Sequence, residues 1–402
     1  MRATLRTLLL LFIVLSLTIL SGGCGGSSGS DTTSEEVENG DGGTDDGGET
    51  GVSDSFLVTG PSYTINGKVV HITGGGEYTA EGTLDDGQIA VNAVGENVVL
   101  ILDGVAISNS NGPAILALSA ASLRIVLADG SVNVLSDGGG NEDYDATIFS
   151  SVPLVMDGGG ELVVVGNYQE GIASDSTLTI EDGNIWITAT DDGLNSGADM
   201  TINGGYIYIE AVGDGVDSNA NLAITGGTVI SIGGMEGGDG GLDIDDGFTF
   251  TLSGGTVIAT GNTVVEPPNG SGMQISMLMN YQSAQAAGTI VHIEGSSLGL
   301  SYEPGRSYQS FFFSSPLLAT GDYAVYAGGS DSGTKRDGLY ESDTYTGGTA
   351  MTHSGSADGV FSVTSGRSNS YHNVGADQSG SGSGDPGQPG QPGEPGGGSQ
   401  RP

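Results

Sequence analysis

The sequence predicts an all-β protein, a right-handed parallel β-helix with a β-rich C-terminal layer or cap. Three observations predict it: an internal repeat of about 22 residues, short β-branched and aromatic strands that alternate with period two, and no apolar pattern of helical period. The repeat occupies residues 153–247 and reads PLVMDGGGELVVVGNYQEGIASDS, TLTIEDGNIWITATDDGLNSGAD, MTINGGYIYIEAVGDGVDSNAN and LAITGGTVISIGGMEGGDGGLDIDDG.

Each copy of the repeat ends with an acidic residue or glycine, then a glycine, an aliphatic residue and a polar residue. The aliphatic positions are Ile172, Leu194, Val216 and Leu242, with a weaker copy at Ile148. One rung cannot bury its own apolar face, whereas stacked rungs place like residues over like at the strand spacing of about 4.8 Å. We therefore expect an inward aliphatic ladder. The right hand is expected because parallel crossovers almost always have it.

Composition divides the chain into five segments. These are a lipoprotein-type signal peptide (1–23), a disordered acidic Gly/Ser tether (24–55), the parallel β-helix (56–262), a β-rich C-terminal part of the same domain (263–375) and a disordered Pro/Gly tail (376–402). The tether and the tail hold too few apolar side chains to order themselves. The C-terminal part is rich in aromatic residues and reads as a different terminal layer or as a cap on the last open rung.

The N-terminus has the features of a bacterial export signal. Arg2 and Arg6 precede an apolar run that ends in small residues before Cys24. This arrangement resembles a lipobox, so we expect Cys24 to be lipidated and the protein to be secreted and anchored at the bacterial cell surface or membrane. Ordinary secretion without the lipid is the alternative. Cys24 is the only cysteine, which excludes disulfides and cysteine-based metal sites.

The formal net charge of −40 restricts the partners. A chain this acidic repels nucleic acid and anionic lipid, so we expect no nucleic-acid partner and no membrane contact except through the lipid anchor. Its natural small partners are cations, and an anionic polymer would need a cation as a bridge. We expect the chain to be a monomer.

Stacking the rungs lines up acidic side chains on both sides of the aliphatic position. The candidate metal ligands are Glu170, Asp191, Asp192, Asn195, Asp214, Asp217, Asp239, Asp243 and Asp245. Like charges one strand spacing apart repel each other unless a cation neutralises them. Because the donors are oxygen atoms and histidines are scarce, Ca²⁺ is the cofactor we expect. The alternative is that Asp-Gly pairs serve only as turns and as solvated surface.

Three aromatic side chains are candidate carbohydrate-binding residues. Trp186 alternates with Ile185 and Ile187, and Tyr206 and Tyr208 follow about one rung later, so all three are expected to point outward. An exposed aromatic stripe of this kind suits stacking against sugar rings. The alternative is that the C-terminal region or a long loop covers it.

Two regions of the sequence resemble a known family. GNYQEGIAS, TATDDGLNS and AVGDGVDSNANLAITGGTVIS, followed later by SAQAAGTIVHIEGSSLGLSYEPGRSYQSFFFSSPLLATGDYAVYAGGSDSGTKRDGLYESDTYTGGT, resemble the bacterial carbohydrate-binding β-helix family typified by a clostridial cellulose- and pectin-binding surface protein. The resemblance covers about 56–370. It implies a right-handed parallel β-helix similar to pectate lyases, bound calcium, and binding of plant-type polysaccharide without established cleavage.

The fold leaves polysaccharide lyase activity as an alternative. Lyases of this kind commonly use a Lys or Arg base beside calcium, but no Lys or Arg lies between Arg124 and Arg306, and nothing in the sequence places Lys335 or Arg336 near the repeats. A hydrolytic carboxylate pair cannot be chosen among so many acids, and an adhesin or surface stalk is a structural alternative. We therefore predict a non-catalytic, calcium-binding polysaccharide-binding protein of the cell surface.

Overall fold

The computed structural model describes residues 50–53, 55–139, 144–262, 267–269, 273–296, 298–341, 344–353, 360–363 and 369–374. Every regular element in these ranges is a β-strand. The predicted signal peptide, Cys24, most of the predicted tether and the predicted tail lie outside them. The tether was predicted to reach residue 55, but Thr50–Ser53 already forms a strand. No helix in the described ranges is apolar and long enough to span a membrane.

The strands fall into three groups along the chain. The N-terminal strands are β1 (Thr50–Ser53), β2 (Phe56–Thr59) and β3 (Tyr63–Asn66). The strands of the coil are β4 (Val69–Ile72), β5 (Gly76–Leu84), β6 (Gln88–Asn92), β7 (Asn97–Ser108), β8 (Ile115–Ser119), β9 (Ser122–Leu127), β10 (Val132–Ser136), β11 (Ala146–Ser150), β12 (Leu154–Asp157), β13 (Glu161–Gly166), β14 (Glu170–Ser174), β15 (Leu178–Ile180), β16 (Asn184–Ala189), β17 (Leu194–Ser196), β18 (Met200–Ile202), β19 (Tyr206–Ala211), β20 (Val216–Ser218), β21 (Leu222–Ile224), β22 (Thr228–Ile232), β23 (Leu242–Ile244), β24 (Phe250–Leu252) and β25 (Thr256–Gly261). The C-terminal strands are β26 (Ser276–Gln285), β27 (Val291–Glu294), β28 (Gly299–Tyr302), β29 (Tyr308–Ser314), β30 (Gly321–Ala327), β31 (Ser330–Asp331), β32 (Lys335–Arg336), β33 (Leu339–Tyr340), β34 (Tyr345–Thr346), β35 (Thr349–Ala350), β36 (Val360–Val363) and β37 (Asn369–Val374).

The coil is a parallel β-solenoid of about eight turns, which confirms the predicted fold class. Its strands stack in three ladders. The marker ladder contains β4, β6, β8, β11, β14, β17, β20 and β23. The second ladder contains β9, β12, β15, β18, β21 and β24, and the third contains β10, β13, β16, β19, β22 and β25. β5 and β7 are long enough to run through the corner between the second and third ladders.

The marker ladder carries the aliphatic residues of the repeat. The pairing is in register from Ile148 through Ile172, Leu194, Val216 and Leu242. All five side chains are fully buried in the same core. The predicted inward aliphatic ladder is therefore confirmed. Burial of such apolar surface is the dominant stabilising term in folding.

The glycine before each aliphatic residue is required by close packing between turns. A Cβ atom on Gly193 would lie 2.2 Å from Cγ2 of Ile209 and 2.6 Å from the carbonyl oxygen of Gly215. A second row of glycines lies in the turn between the second and third ladders. There Gly205 has a φ of 84°, a value that suits glycine.

Antiparallel strands cover both ends of the coil. At the N-terminal end β2 pairs with β5 and β3 pairs with β4. At the other end β29 pairs with β25, β26 pairs with β29, and β37 continues that sheet. Phe311 and Phe313 pack in a second core with the outer residues Ile230 and Ile258 of the third ladder. The aromatic C-terminal part is thus a cap that also extends along one face.

We expect Gly193→Ala to destabilise the protein by about 1–3 kcal/mol, because the added methyl group has no space and the backbone must shift. Gly238→Ala is the matched control, since a Cβ there meets no atom within 4 Å. Urea unfolding followed by circular dichroism measures both. Equal stability of the two variants would contradict the packing role of the glycine that precedes each aliphatic residue.

Candidate functional site

The predicted metal ligands lie where the third ladder turns into the marker ladder and on the adjoining outer surface. We call this region the acidic corner; it contains Glu170, Asp191, Asp192, Asn195, Asp214, Asp217, Asp239, Asp243 and Asp245. The ladder register stacks Asn195, Asp217 and Asp243 directly over one another. The carboxylates of Asp191 and Asp239 also lie close enough to interact electrostatically. The acidic side chains that the repeat predicts to stack in columns are therefore neighbours in the structure.

Hydrogen bonds tie successive rungs together at the acidic corner. The side-chain amide of Asn195 donates to Oδ2 of Asp192 at 3.1 Å and to Oδ2 of Asp217 at 2.8 Å. The backbone N–H of Asp214 donates to Oδ1 of Asp192 at 2.7 Å, and that of Gly240 donates to Oδ1 of Asp214 at 2.6 Å. These bonds hold the carboxylates in fixed positions relative to the backbone.

Four carboxyl groups of the acidic corner have a pKa above the ordinary value, so they hold protons more tightly than free carboxyls do. Burial, together with neighbouring carboxylates, raises the pKa of Asp214 and of Asp217 to about 8 and that of Glu170 to about 9. Burial raises the pKa of Asp192 to about 6. Because the folded state favours the protonated forms, the stability they contribute is present below the ordinary pKa and is lost as pH rises through these values.

The donor chemistry of the corner fits a hard cation. Every side-chain donor there is a carboxylate or an amide, and no Lys or Arg occurs between Arg124 and Arg306 to neutralise them. Oε2 of Glu170 is buried and has no hydrogen-bond partner among the residues that the structure describes. Within the described ranges, however, no three His, Cys, Asp or Glu side chains are grouped closely enough to hold a metal ion by themselves. A bound calcium ion would therefore need amide, backbone or water oxygens as well.

Two further acids of this corner were missed by the sequence analysis. Asp145 raises the pKa of Glu170, and its carbonyl oxygen accepts a hydrogen bond from the Glu170 backbone. Asp137 is buried, which raises its pKa to about 6, and it accepts a 2.6 Å hydrogen bond from the backbone of Asn167. The sequence signal for these two acids was the weaker copy of the repeat around Ile148. Its irregular spacing prevented an alignment with the other copies.

The predicted aromatic stripe lies on the outer surface of the third ladder but is not exposed. Trp186 and Tyr208 pair in register, and the rings of Trp186 and Tyr206 lie 5.8 Å apart. All three side chains are half-buried, and the two tyrosines pack against the C-terminal core. The expectation of an exposed stripe is wrong, because the C-terminal part covers it. The assignment of these residues to carbohydrate binding stays a prediction.

The β32–β33 hairpin makes the contacts that cover the stripe. Oδ2 of Asp337 accepts hydrogen bonds from the Trp186 indole and the Tyr206 hydroxyl, both at 2.9 Å. The Arg336 guanidinium lies 3.4 Å from the centroid of the Tyr206 ring, a cation–π contact. Asp337 and Gly338 have φ values of 50° and 85°, as the tight turn of a two-residue hairpin requires.

Comparison with known proteins assigns the family. The family model described as "carbohydrate-binding domain-containing protein" matches residues 66–303, which is more than half of the chain. The chain therefore belongs to this family of carbohydrate-binding domain proteins, as the sequence resemblance implied.

Two individual proteins are similar to parts of the chain. A carbohydrate-binding domain-containing protein of Acetivibrio thermocellus is 39% identical over 134 residues, which are 31% of this chain and 47% of that protein. The match thus spans about half the length of that relative. The solved structure of a polysaccharide lyase-like protein from C. thermocellum, a gadolinium derivative, is 30% identical and covers 50% of this chain and 89% of its own, with a TM-score of 0.42.

Trp186 is the only tryptophan, so its fluorescence reports the contact with the hairpin. We expect Asp337→Ala to shift the emission to the red and to increase acrylamide quenching, because the variant loses both hydrogen bonds that hold the cover. Asp103→Ala, an exposed position on β7, is the control. Unchanged quenching in Asp337→Ala would show that the hairpin does not depend on these bonds.

Proposed function

We propose that this protein is a non-catalytic, calcium-binding protein of the cell surface that binds polysaccharide. One observation carries the proposal: the carbohydrate-binding family match extends over residues 66–303, which include nearly the whole solenoid. The long parallel coil suits a polymer because its outer faces repeat from rung to rung and offer the same contacts many times.

The placement of the basic residues supports binding without cleavage. A lyase needs a side chain that is free to remove a proton. Arg306 and Arg336 do reach the third ladder, although the sequence did not place them there, but both are engaged. Arg306 donates a hydrogen bond to the carbonyl oxygen of Ala211, and Arg336 lies against Tyr206 and near Asp337. Arg124 forms an ion pair with Asp157.

Calcium is proposed to bind at the acidic corner. Ca²⁺ takes six to eight oxygen ligands, and oxygens on adjacent rungs lie about one strand spacing apart, within reach of one ion. The ion would neutralise carboxylates that no basic side chain of the repeats can pair with. It would also link successive rungs, so its effect would be on the rigidity and stability of the coil.

The N-terminal sequence supports a surface location. The export signal, Cys24 and the acidic Gly/Ser tether fit a lipoprotein whose binding domain is held away from the membrane. The formal charge of −40 keeps such a domain away from anionic lipid.

The proposed function predicts retention of the protein on insoluble cellulose or on pectate beads, with stronger retention in calcium than in EDTA. The same incubations should release no reducing ends and no ultraviolet-absorbing unsaturated product. Bovine serum albumin is the control for nonspecific retention. Retention on no polysaccharide would favour the stalk alternative, and release of product would show an enzyme.

Calorimetric titration with calcium tests the metal site. We expect Asp214→Asn and Asp217→Asn each to weaken binding about tenfold, equivalent to about 1.4 kcal/mol, because each removes one anionic donor. Both changes keep the shape of the side chain, and Asp103→Asn on β7 is the matched control. An isotherm identical to wild type in both corner variants would eliminate the site.

A further inference from the structure

The outer surface of the second ladder differs from the other two faces. We call it the polar face; it consists of residues 177–181, 199–203, 221–225 and 249–253. Its central column contains Thr179, Thr201, Ala223 and Thr251, which pair in register. The hydroxyl groups of the three threonines have no hydrogen-bond partner among the described residues, so they can bond a ligand.

The two flanking columns of the polar face are held by hydrogen bonds between rungs. On one side the amide of Asn221 donates to Oδ1 of Asp199 at 2.9 Å. On the other side the amide of Asn203 donates to Glu181 at 2.9 Å, and the hydroxyl of Thr225 donates to Oδ1 of Asn203 at 2.7 Å. The flanks therefore present exposed polar groups in fixed positions.

The polar face differs from the other two faces of the solenoid in the charge of its side chains and in its contact with the C-terminal part. The strand segments 221–225 and 249–253 of this face carry no ionisable side chain, although the chain has a formal charge of −40. At the same level the marker ladder carries Asp217 and Asp243 on its outer surface. The outer surface of the third ladder is packed against the C-terminal part. The polar face is thus exposed along its flanks and half-buried at its centre, and its last two strand segments carry no charge, whereas Glu181 and Asp199 lie on the flanks of the two segments before them.

We propose that the polar face is the polysaccharide-binding surface and that its partner is a neutral, extended, hydroxyl-rich polysaccharide lying along the solenoid axis. Each rung would meet about one sugar ring, since the rung spacing of about 4.8 Å is close to the length of a pyranose unit in an extended chain. The uncharged, hydroxyl-bearing part of the face at residues 221–225 and 249–253 suits an uncharged, hydroxyl-bearing polymer, and the carboxylates of Glu181 and Asp199 farther along can accept hydrogen bonds from its hydroxyl groups. The face lies inside the family match at 66–303, whereas the β32–β33 hairpin lies outside it.

This inference rests on the proposed function, and matched Ala→Arg variants test it. Ala223→Arg places a long side chain in the centre of the polar face. The coil accommodates arginine in this column, because Arg124 occupies the same column four rungs before Ala223. Ala90→Arg is the control, since Ala90 is equally half-buried on the outer surface of the marker ladder.

The probe is regenerated amorphous cellulose, with polygalacturonate as the charged comparison. We expect Ala223→Arg to lower retention on cellulose at least tenfold and Ala90→Arg to leave it unchanged. Thr201→Val, which removes one hydroxyl and keeps the shape of the side chain, should lower retention several-fold. If circular dichroism shows that Ala223→Arg does not fold, the retention of Thr201→Val tests whether the polar face binds cellulose.

The outcomes separate the two proposals. Wild-type retention in all three variants would overturn the polar face as the site and leave the proposed function standing. Retention of the wild type on polygalacturonate but not on cellulose would overturn the neutral partner. No retention of the wild type on either polymer would overturn both the inference and the proposed function.

Discussion

The in-register hydrogen bonding between successive turns is the constraint on which this structure depends. Each turn must place its backbone directly over the preceding one, so every position of the repeat becomes a column. The columns that point inward are filled mainly by apolar residues, chiefly Ile, Leu and Val, with Met200 and Phe250 in the column of Leu178 and Leu222. The glycine beside them has no side chain because the next turn approaches too closely.

The same constraint creates the electrostatic problem of the acidic corner. A stacked register that favours aliphatic packing inside also brings like charges together outside, as at Asp217 and Asp243. Asn195 relieves part of the repulsion because its amide lies between two carboxylates and donates to both. A neutral amide cannot balance the remaining charge, and burial makes that charge more costly. The geometry that stabilises the coil therefore also raises the affinity of these carboxylates for protons.

Sequence reasoning succeeded where one rung determines the next. The inward ladder at Ile172, Leu194 and Val216 follows from the repeat alone, because period and parity fix which side each residue faces. It failed for the aromatic stripe, since parity gives the direction of Trp186 but not what lies above it. Asp337, one of the residues that cover Trp186, lies 151 positions away in the sequence. Asp137 and Asp145 were missed because their turn departs from the regular spacing on which the alignment relied.

The constant spacing of the central rungs has a consequence for how such a protein can change in length. From Ile172 to Leu194 to Val216 the register advances by 22 residues each time, and each rung contacts chiefly its two neighbours. Duplication of residues 171–192 would add one turn to the coil. Each of the remaining turns would still stack on a turn of the same type as before. The N-terminal cap pairs with the first turn, so the added turn would not alter its contacts. The C-terminal part reaches back to Asn184 and Trp186, and the second copy of residues 171–192 would supply both residues at the same distance from that cap. Gene-level repetition of one short unit can thus lengthen the coil in steps, without redesign of its core.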